Sequence, residues 1–197
     1  MEQGKGIIKQ FSPDIDDLSH HEIINAIQAN KANINHSHKI NGRWENKYLA
    51  MEYIPQIKKI FHFACRVGRD IVDRPMVVPH KAMGLPIDEF WFNIAKPGDS
   101  TGWHDHKERA LLSGVYYLKV PENSGNIHFR KKIGKRYREW EISSHTGRMI
   151  LFHSNIEHSV SKNNSKSNRI SIAFNLYSLP IDIDSNSDSY SSNKFYS

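Results

Sequence analysis

The chain changes its hydrophobic period near the middle. Between Pro13 and Asn30 the apolar residues Ile15, Leu18, Ile23, Ile24 and Ile27 recur at helical spacing, with Asp14 or Ser19 as candidate N-caps. Residues 55–72, PQIKKIFHFACRVGRDIV, repeat the pattern. There Ile57, Ile60, Phe61, Ala64 and Val67 form one stripe, Lys58, Lys59, Arg66 and Arg69 fill the rest, and Pro55 suits a first turn. Two amphipathic helices are predicted. The polar stretch between them, KANINHSHKINGRWENKY, reads as a loop with a short hairpin around Asn41-Gly42.

After Pro86 the period becomes two and the segments shorten. Candidate strands are 89–95, 111–120, 125–130, 137–142, 148–153, 157–161 and 169–177, separated by turn signals such as Pro97-Gly98-Asp99-Ser100 and Ser143-Ser144-His145-Thr146-Gly147. Seven or more short strands at this spacing predict a mainly β protein, a sandwich or jelly roll with the early helices buttressing one sheet. The expected organisation is a helical and loop support region over 1–85, a β core over 86–180 and a polar, unstructured tail over 181–197.

Composition narrows the classes. Of the 197 residues 38% are apolar, with 9 Phe, 8 Tyr and 4 Trp, which is enough for a packed core. The single cysteine, Cys65, excludes an intrachain disulfide framework and any zinc site built on several thiolates. No apolar run approaches the ~20 residues that cross a bilayer, and MEQGKGIIKQ lacks a signal-peptide core, so a soluble cytoplasmic protein without membrane contact is expected. The net charge of +6 permits an anionic partner without requiring one.

Twelve histidines are the anomaly, and their placement matters more than their number. His20-His21 and His36-x-His38 fall in a helix start and a polar loop and read as solvated surface. His104-x-His106 instead follows a Gly-containing turn and precedes the β-patterned LLSGVYYLKV. On an extended strand, residues i and i+2 face the same way, about 6–7 Å apart, so two imidazoles can grip one ion while Asp105 faces the other side. His158 sits on a later strand after the run RMILFHSN, and Arg169 opens RISIAFNLY eleven residues further on. Two ligands from one strand and one from a distant strand make a triangular set that leaves the opposite positions of a metal open.

The stretch WFNIAKPGDSTGWHDHKERALLSGVYYLKVPENSG…GRMILFHSNIEHSVSKNNSKSNRISIAFN resembles the iron(II)/2-oxoglutarate-dependent oxygenases, in particular the small prolyl-hydroxylase-like branch. The likeness covers roughly residues 90 to 176. It implies a double-stranded β-helix, a distorted jelly roll, with His104, His106 and His158 binding Fe(II). It also implies that Arg169 pairs with the distal carboxylate of 2-oxoglutarate, helped by Ser171 and Tyr117, and that Asn93 lies near the chelating end. By strand parity Arg169, Ser171, Ala173 and Asn175 line the cavity, with Asn175 nearest the reacting centre, while Ile170, Ile172, Phe174 and Leu176 pack outward. The second ligand position holds His106 where much of the superfamily has a carboxylate. Either three histidines bind, which is the favoured reading, or Asp105 is drawn in by a bulge; Glu108 is the other nearby acid.

The implied activity is dioxygenation with Fe(II), 2-oxoglutarate and O2, hydroxylating an unactivated C–H bond of a small molecule, amino acid or peptide and releasing succinate and CO2. Two alternatives compete: a cupin-type three-histidine metalloenzyme without 2-oxoglutarate, and a non-catalytic jelly roll binding a polyanion. The last rests on 129–140, FRKKIGKRYREW, where six basic residues stand against one acid, a net of +5. That run reads first as a solvated hairpin tip. At a pocket mouth it would favour an anionic substrate, with nucleic acid the less favoured partner. Trp91 and Trp103 are candidates to line the substrate pocket.

Overall fold

The structure, a computed structural model, describes residues 8–40, 43–106 and 110–181. Asn41-Gly42, Glu108 and the tail from Asp182 lie outside the described residues. Both expected helices form, α1 at Asp17–Ala29 and α2 at Ile57–Val72. The cap of α1 is Asp16 rather than Asp14 or Ser19. Its carboxylate accepts from the Ser19 backbone N–H at 2.7 Å and from the Ser19 hydroxyl at 3.0 Å, so Ser19 is the donor that Asp16 satisfies. Leu18 faces solvent at 68% exposure, and α1 buries Ile23 and Ile27 instead.

Twelve strands follow in chain order: β1 Ile8–Phe11, β2 Asn35–Ile40, β3 Arg43–Tyr48, β4 Met76–Val77, β5 Phe90–Ala95 and β6 Thr101–His104, then β7 Leu112–Lys119, β8 Ile127–Ile133, β9 Arg136–Ile142, β10 Met149–His153, β11 Glu157–Val160 and β12 Arg169–Ser178. The larger sheet runs β1-β10-β7-β12-β5-β3-β2, with β4 added to β12; the smaller runs β6-β11-β8-β9. From β5 onward consecutive strands alternate between two facing antiparallel sheets, except for the β8–β9 hairpin, which stays within the smaller one; this is the double-stranded β-helix jelly roll. The N-terminal region contributes strands as well as helices. β1 pairs with β10, and β2 and β3 pair across Asn41-Gly42, bringing Lys47 beside Phe92 of β5.

Strand parity divides the core in two. Ile170, Ile172, Phe174 and Leu176 of β12 join Phe90, Phe92, Leu112, Tyr116, Leu118, Met149 and Leu151 beneath α1 and α2. The opposite face of the large sheet turns inward, where Val115, Tyr117, Ile150 and Phe152 meet Ile127 and Phe129 of the small sheet. Gly114 lies on the outer face, where a Cβ would collide with the Phe174 ring and come 2.7 Å from Leu151. Only glycine lets β12 and the helices close over β7 there. No described helix is long and apolar enough to cross a membrane.

Candidate metal and co-substrate site

The small sheet places its two strand-borne histidines as neighbours. β11 runs antiparallel to β6 with His158 opposite His104, and His158 opposes Phe129 of β8 on its other side. β6 ends at His104, so His106 lies just past the strand on irregular backbone, its N–H donating to the Ser154 carbonyl at 3.0 Å. Ring centroids lie 4.2 Å apart for His104–His158, 5.1 Å for His106–His158 and 5.3 Å for His104–His106. One nitrogen from each of the three falls within 4.8 Å of the others, so side-chain adjustments of about an ångström would bring them to the ~3.0–3.4 Å separations that ~2.1 Å bonds to a common ion require. Asp105 is exposed and outside this group, which favours the three-histidine reading.

The local chain also selects which nitrogen is available. His104 Nδ1 lies 2.9 Å from the Gly102 carbonyl and His158 Nδ1 3.1 Å from the Ile156 carbonyl. A carbonyl can only accept, so each Nδ1 carries the proton and each Nε2 keeps its lone pair for a ligand. His158 is buried beside Phe152 and Phe129. Burial, and then His104 and His106, hold its pKa well below the ordinary histidine value, keeping it the neutral donor a metal requires. Gly102, Ile156 and Ser154 escaped the sequence reading. Only the i−2 spacing of the two carbonyls hints at them.

The large sheet forms the opposite wall in registered rows. Tyr117 of β7, Ser171 of β12 and Asn93 of β5 stand side by side. The next row is Val115, Ala173 and Trp91, and the next pairs Ser113 with Asn175. The Trp91 ring lies 5.4 Å from His106, which fixes the level of the histidines along the wall. The Tyr117–Ser171–Asn93 row is therefore about 7 Å from that level on one side, with Arg169 beyond it. Arg169 is 4% exposed and its Nη1 donates to the Ser124 and Gly125 carbonyls at 2.6 and 3.2 Å. Burial raises the Tyr117 phenol, with Ser144 and the neighbouring Arg169 charge opposing. Asn93 Oδ1 is buried without a hydrogen-bond partner.

Asn175 stands apart from these four. It lies one row beyond the histidines in the other direction, where its Nδ2 donates to Glu89 at 2.8 Å and its Oδ1 accepts from Ser113 at 2.8 Å. Its amide thus serves the protein framework rather than the end of the cavity that Arg169 closes. Trp103 also departs from expectation: it precedes His104 on β6 and so faces outward, where the Arg130 guanidinium lies 4.5 Å from its ring centre. Trp91 alone of the two lines the interior. His20 is likewise not solvated surface. It is buried, with Nε2 2.6 Å from the Tyr116 hydroxyl.

A neutral nitrogen triad facing a wall that carries a buried guanidinium, a phenol, a hydroxyl and an unsatisfied amide oxygen fits a divalent cation with an anionic chelator. The comparisons agree with that chemistry. The family profile described as "Putative 2OG-Fe(II) oxygenase" matches residues 89–175, which include all three histidines and Arg169. No curated protein matches the chain in sequence. Among solved structures it is similar to the alpha-ketoglutarate-dependent carbocyclase SnoK from nogalamycin biosynthesis, at 12% identity and a TM-score of 0.65, over 87% of this chain and 79% of that one. It is similar to the epimerase SnoN in complex with Fe3+, alpha-ketoglutarate and nogalamycin RO, at 11% identity and TM-score 0.66, over 90% and 83%. It is also similar to a Pseudomonas putida prolyl-4-hydroxylase, at 16% identity and TM-score 0.61, over 86% and 93%.

Residues 89–175 thus match the 2OG-Fe(II) oxygenase profile, on a fold shared with solved alpha-ketoglutarate-dependent enzymes and with a convergent histidine triad. The triad and the profile both fit Fe(II) as the metal and 2-oxoglutarate as the co-substrate.

Proposed function

We propose that the protein hydroxylates an unactivated C–H bond of a small molecule, amino acid or peptide, releasing succinate and CO2. The observation that carries this reading is the convergence of His104, His106 and His158 opposite rows that lead to Arg169. In it Nε2 of His104, Nε2 of His158 and one ring nitrogen of His106 would hold Fe(II). Arg169 receives the distal carboxylate of 2-oxoglutarate, with the Ser171 and Tyr117 hydroxyls donating to the same group one row nearer the metal. Asn93 is placed toward the chelating end. Bound there, iron with 2-oxoglutarate and O2 supplies the oxidising power for C–H cleavage.

The residues of the chain bind, orient and exclude water. Phe129, Phe152, Ile127 and Ile150 dry the space between the sheets, which strengthens the Arg169–carboxylate attraction. The substrate enters from the opposite end, past Trp91 and the Ser113–Asn175 pair. A cytoplasmic location suits the single free thiol, Cys65, and belongs to the same proposal.

The test is turnover of substrate panels under isotopically labelled O2. Hydroxylation puts one labelled oxygen in the product and the other in succinate. Succinate formed with an unlabelled, dehydrogenated, cyclised or epimerised product would contradict hydroxylation while keeping the oxygenase class. SnoK, a carbocyclase, and SnoN, an epimerase, are examples of such other outcomes.

A further inference from the structure

The hairpin β8–β9 outruns the barrel at the end where substrate would enter. His158 is level with Phe129 and Trp140, and the hairpin continues past them through the pairs Lys131–Arg138 and Ile133–Arg136. Strand parity sorts its charges. On the outer face Arg130 pairs with Glu157 at 2.8 and 3.2 Å between the rings of Trp103 and Tyr137, while His128 lies 3.2 Å from Glu141. Arg130 and Glu157 neutralise each other. On the inner face, continuous with Phe129 and Trp140, lie Lys131, Arg136 and Arg138 around Ile133, which is 57% exposed.

Neither Arg136 nor Arg138 has an acidic partner among the described residues. Like charges directly opposite one another on a sheet destabilise it, and Arg138 faces Lys131 across the ladder, about 5 Å between Cβ atoms. Such a cluster is relieved by an anion. Counting along the strand, the Lys131–Arg138 pair stands about 7 Å beyond the histidine level and Ile133–Arg136 about 13 Å beyond it. Across the mouth, at the start of β5, the rim is acidic, with Asp88 and Glu89. A long polyanion crossing the mouth would be repelled there. A compact anionic group on one side of a small substrate would not.

We propose that this inner face, Arg136 and Arg138 with Lys131, binds a phosphate group of a small-molecule substrate, holding the reacting carbon one to two rows away at the metal. Two guanidiniums and an ammonium carried on one face, with Cβ atoms about 5–8 Å apart, can reach one doubly charged tetrahedral group and match it better than single carboxylates spaced along a peptide. This rests on the oxygenase reading but is tested apart from it.

The experiment titrates the full chain with inorganic pyrophosphate and with phosphoserine, following fluorescence of Trp140 on the same face. It is run on metal-free protein and on protein loaded anaerobically with Fe(II) and 2-oxoglutarate. Saturable binding in both forms, weakened about tenfold or more in Arg136→Glu/Arg138→Glu, is expected. Failure of iron to bind while the probes still bind would count against the oxygenase reading alone. No saturable binding of either probe, or equal binding by the double variant, would overturn the proposal. So would charge-dependent binding confined to a single-stranded oligonucleotide or an acidic peptide.

Discussion

His158 concentrates the chemistry of the site in one side chain. It is buried against Phe152, its Nδ1 proton is committed to Ile156, and its Nε2 faces His104 and His106. Removing it as His158→Ala is expected to abolish stoichiometric Fe(II) binding, read by metal analysis of anaerobically loaded protein. Arg169→Ala is expected to keep the iron and to weaken 2-oxoglutarate binding by about 2–3 kcal/mol, roughly 30- to 160-fold, the worth of a charge-assisted contact pair. Retained 2-oxoglutarate affinity in that variant would remove Arg169 from the site. The triad was legible because i, i+2 spacing beside a β-patterned run is a geometric statement. Asn175, Trp103 and His20 were not. Parity puts Asn175 on the inner face but cannot reveal that Ser113 and Glu89 occupy its amide, and no local pattern announces the His20–Tyr116 contact 96 residues apart.

Among the elements, the strands from β5 to β12 and both helices were readable because each buries one face and so carries a clean period. β1 and the β2–β3 pair were harder. NHSHKI and RWENKY are mostly polar, and they join the outer margin of the large sheet, where backbone pairing does the holding. The start of β6 was merged with the turn before it, since TGWH is too short to show a period. At this scale Gly114→Ala is expected to cost about 1–3 kcal/mol in denaturant unfolding, because Phe174 and Leu151 already occupy the space of a Cβ. Asp16→Ala should cost about 1 kcal/mol through the lost cap of α1, without changing metal binding.

The whole molecule should respond to acid in its metal-free form. Burial holds the pKa of His20 and of His158 below the ordinary value of about 6.5, so the unfolded chain takes up protons that the folded chain declines. Stability is therefore full above that value and falls as pH drops through and below it, by up to about 1.4 kcal/mol per pH unit for each such group. Thermal unfolding between pH 7.5 and 5.5 measures this, and His20→Gln should flatten the slope. A metal-free protein equally stable at both ends would contradict the burial of these imidazoles.

The claim that joins all three scales is that three neutral imidazoles and one buried guanidinium frame a single metal and its dicarboxylate. Anaerobic calorimetric titration of the full chain, first with Fe(II) and then with 2-oxoglutarate, tests it most directly. The account predicts one iron per chain followed by one 2-oxoglutarate, the second event dependent on the first. Iron that fails to bind at unit stoichiometry, or 2-oxoglutarate that binds no better with iron than without it, would contradict it.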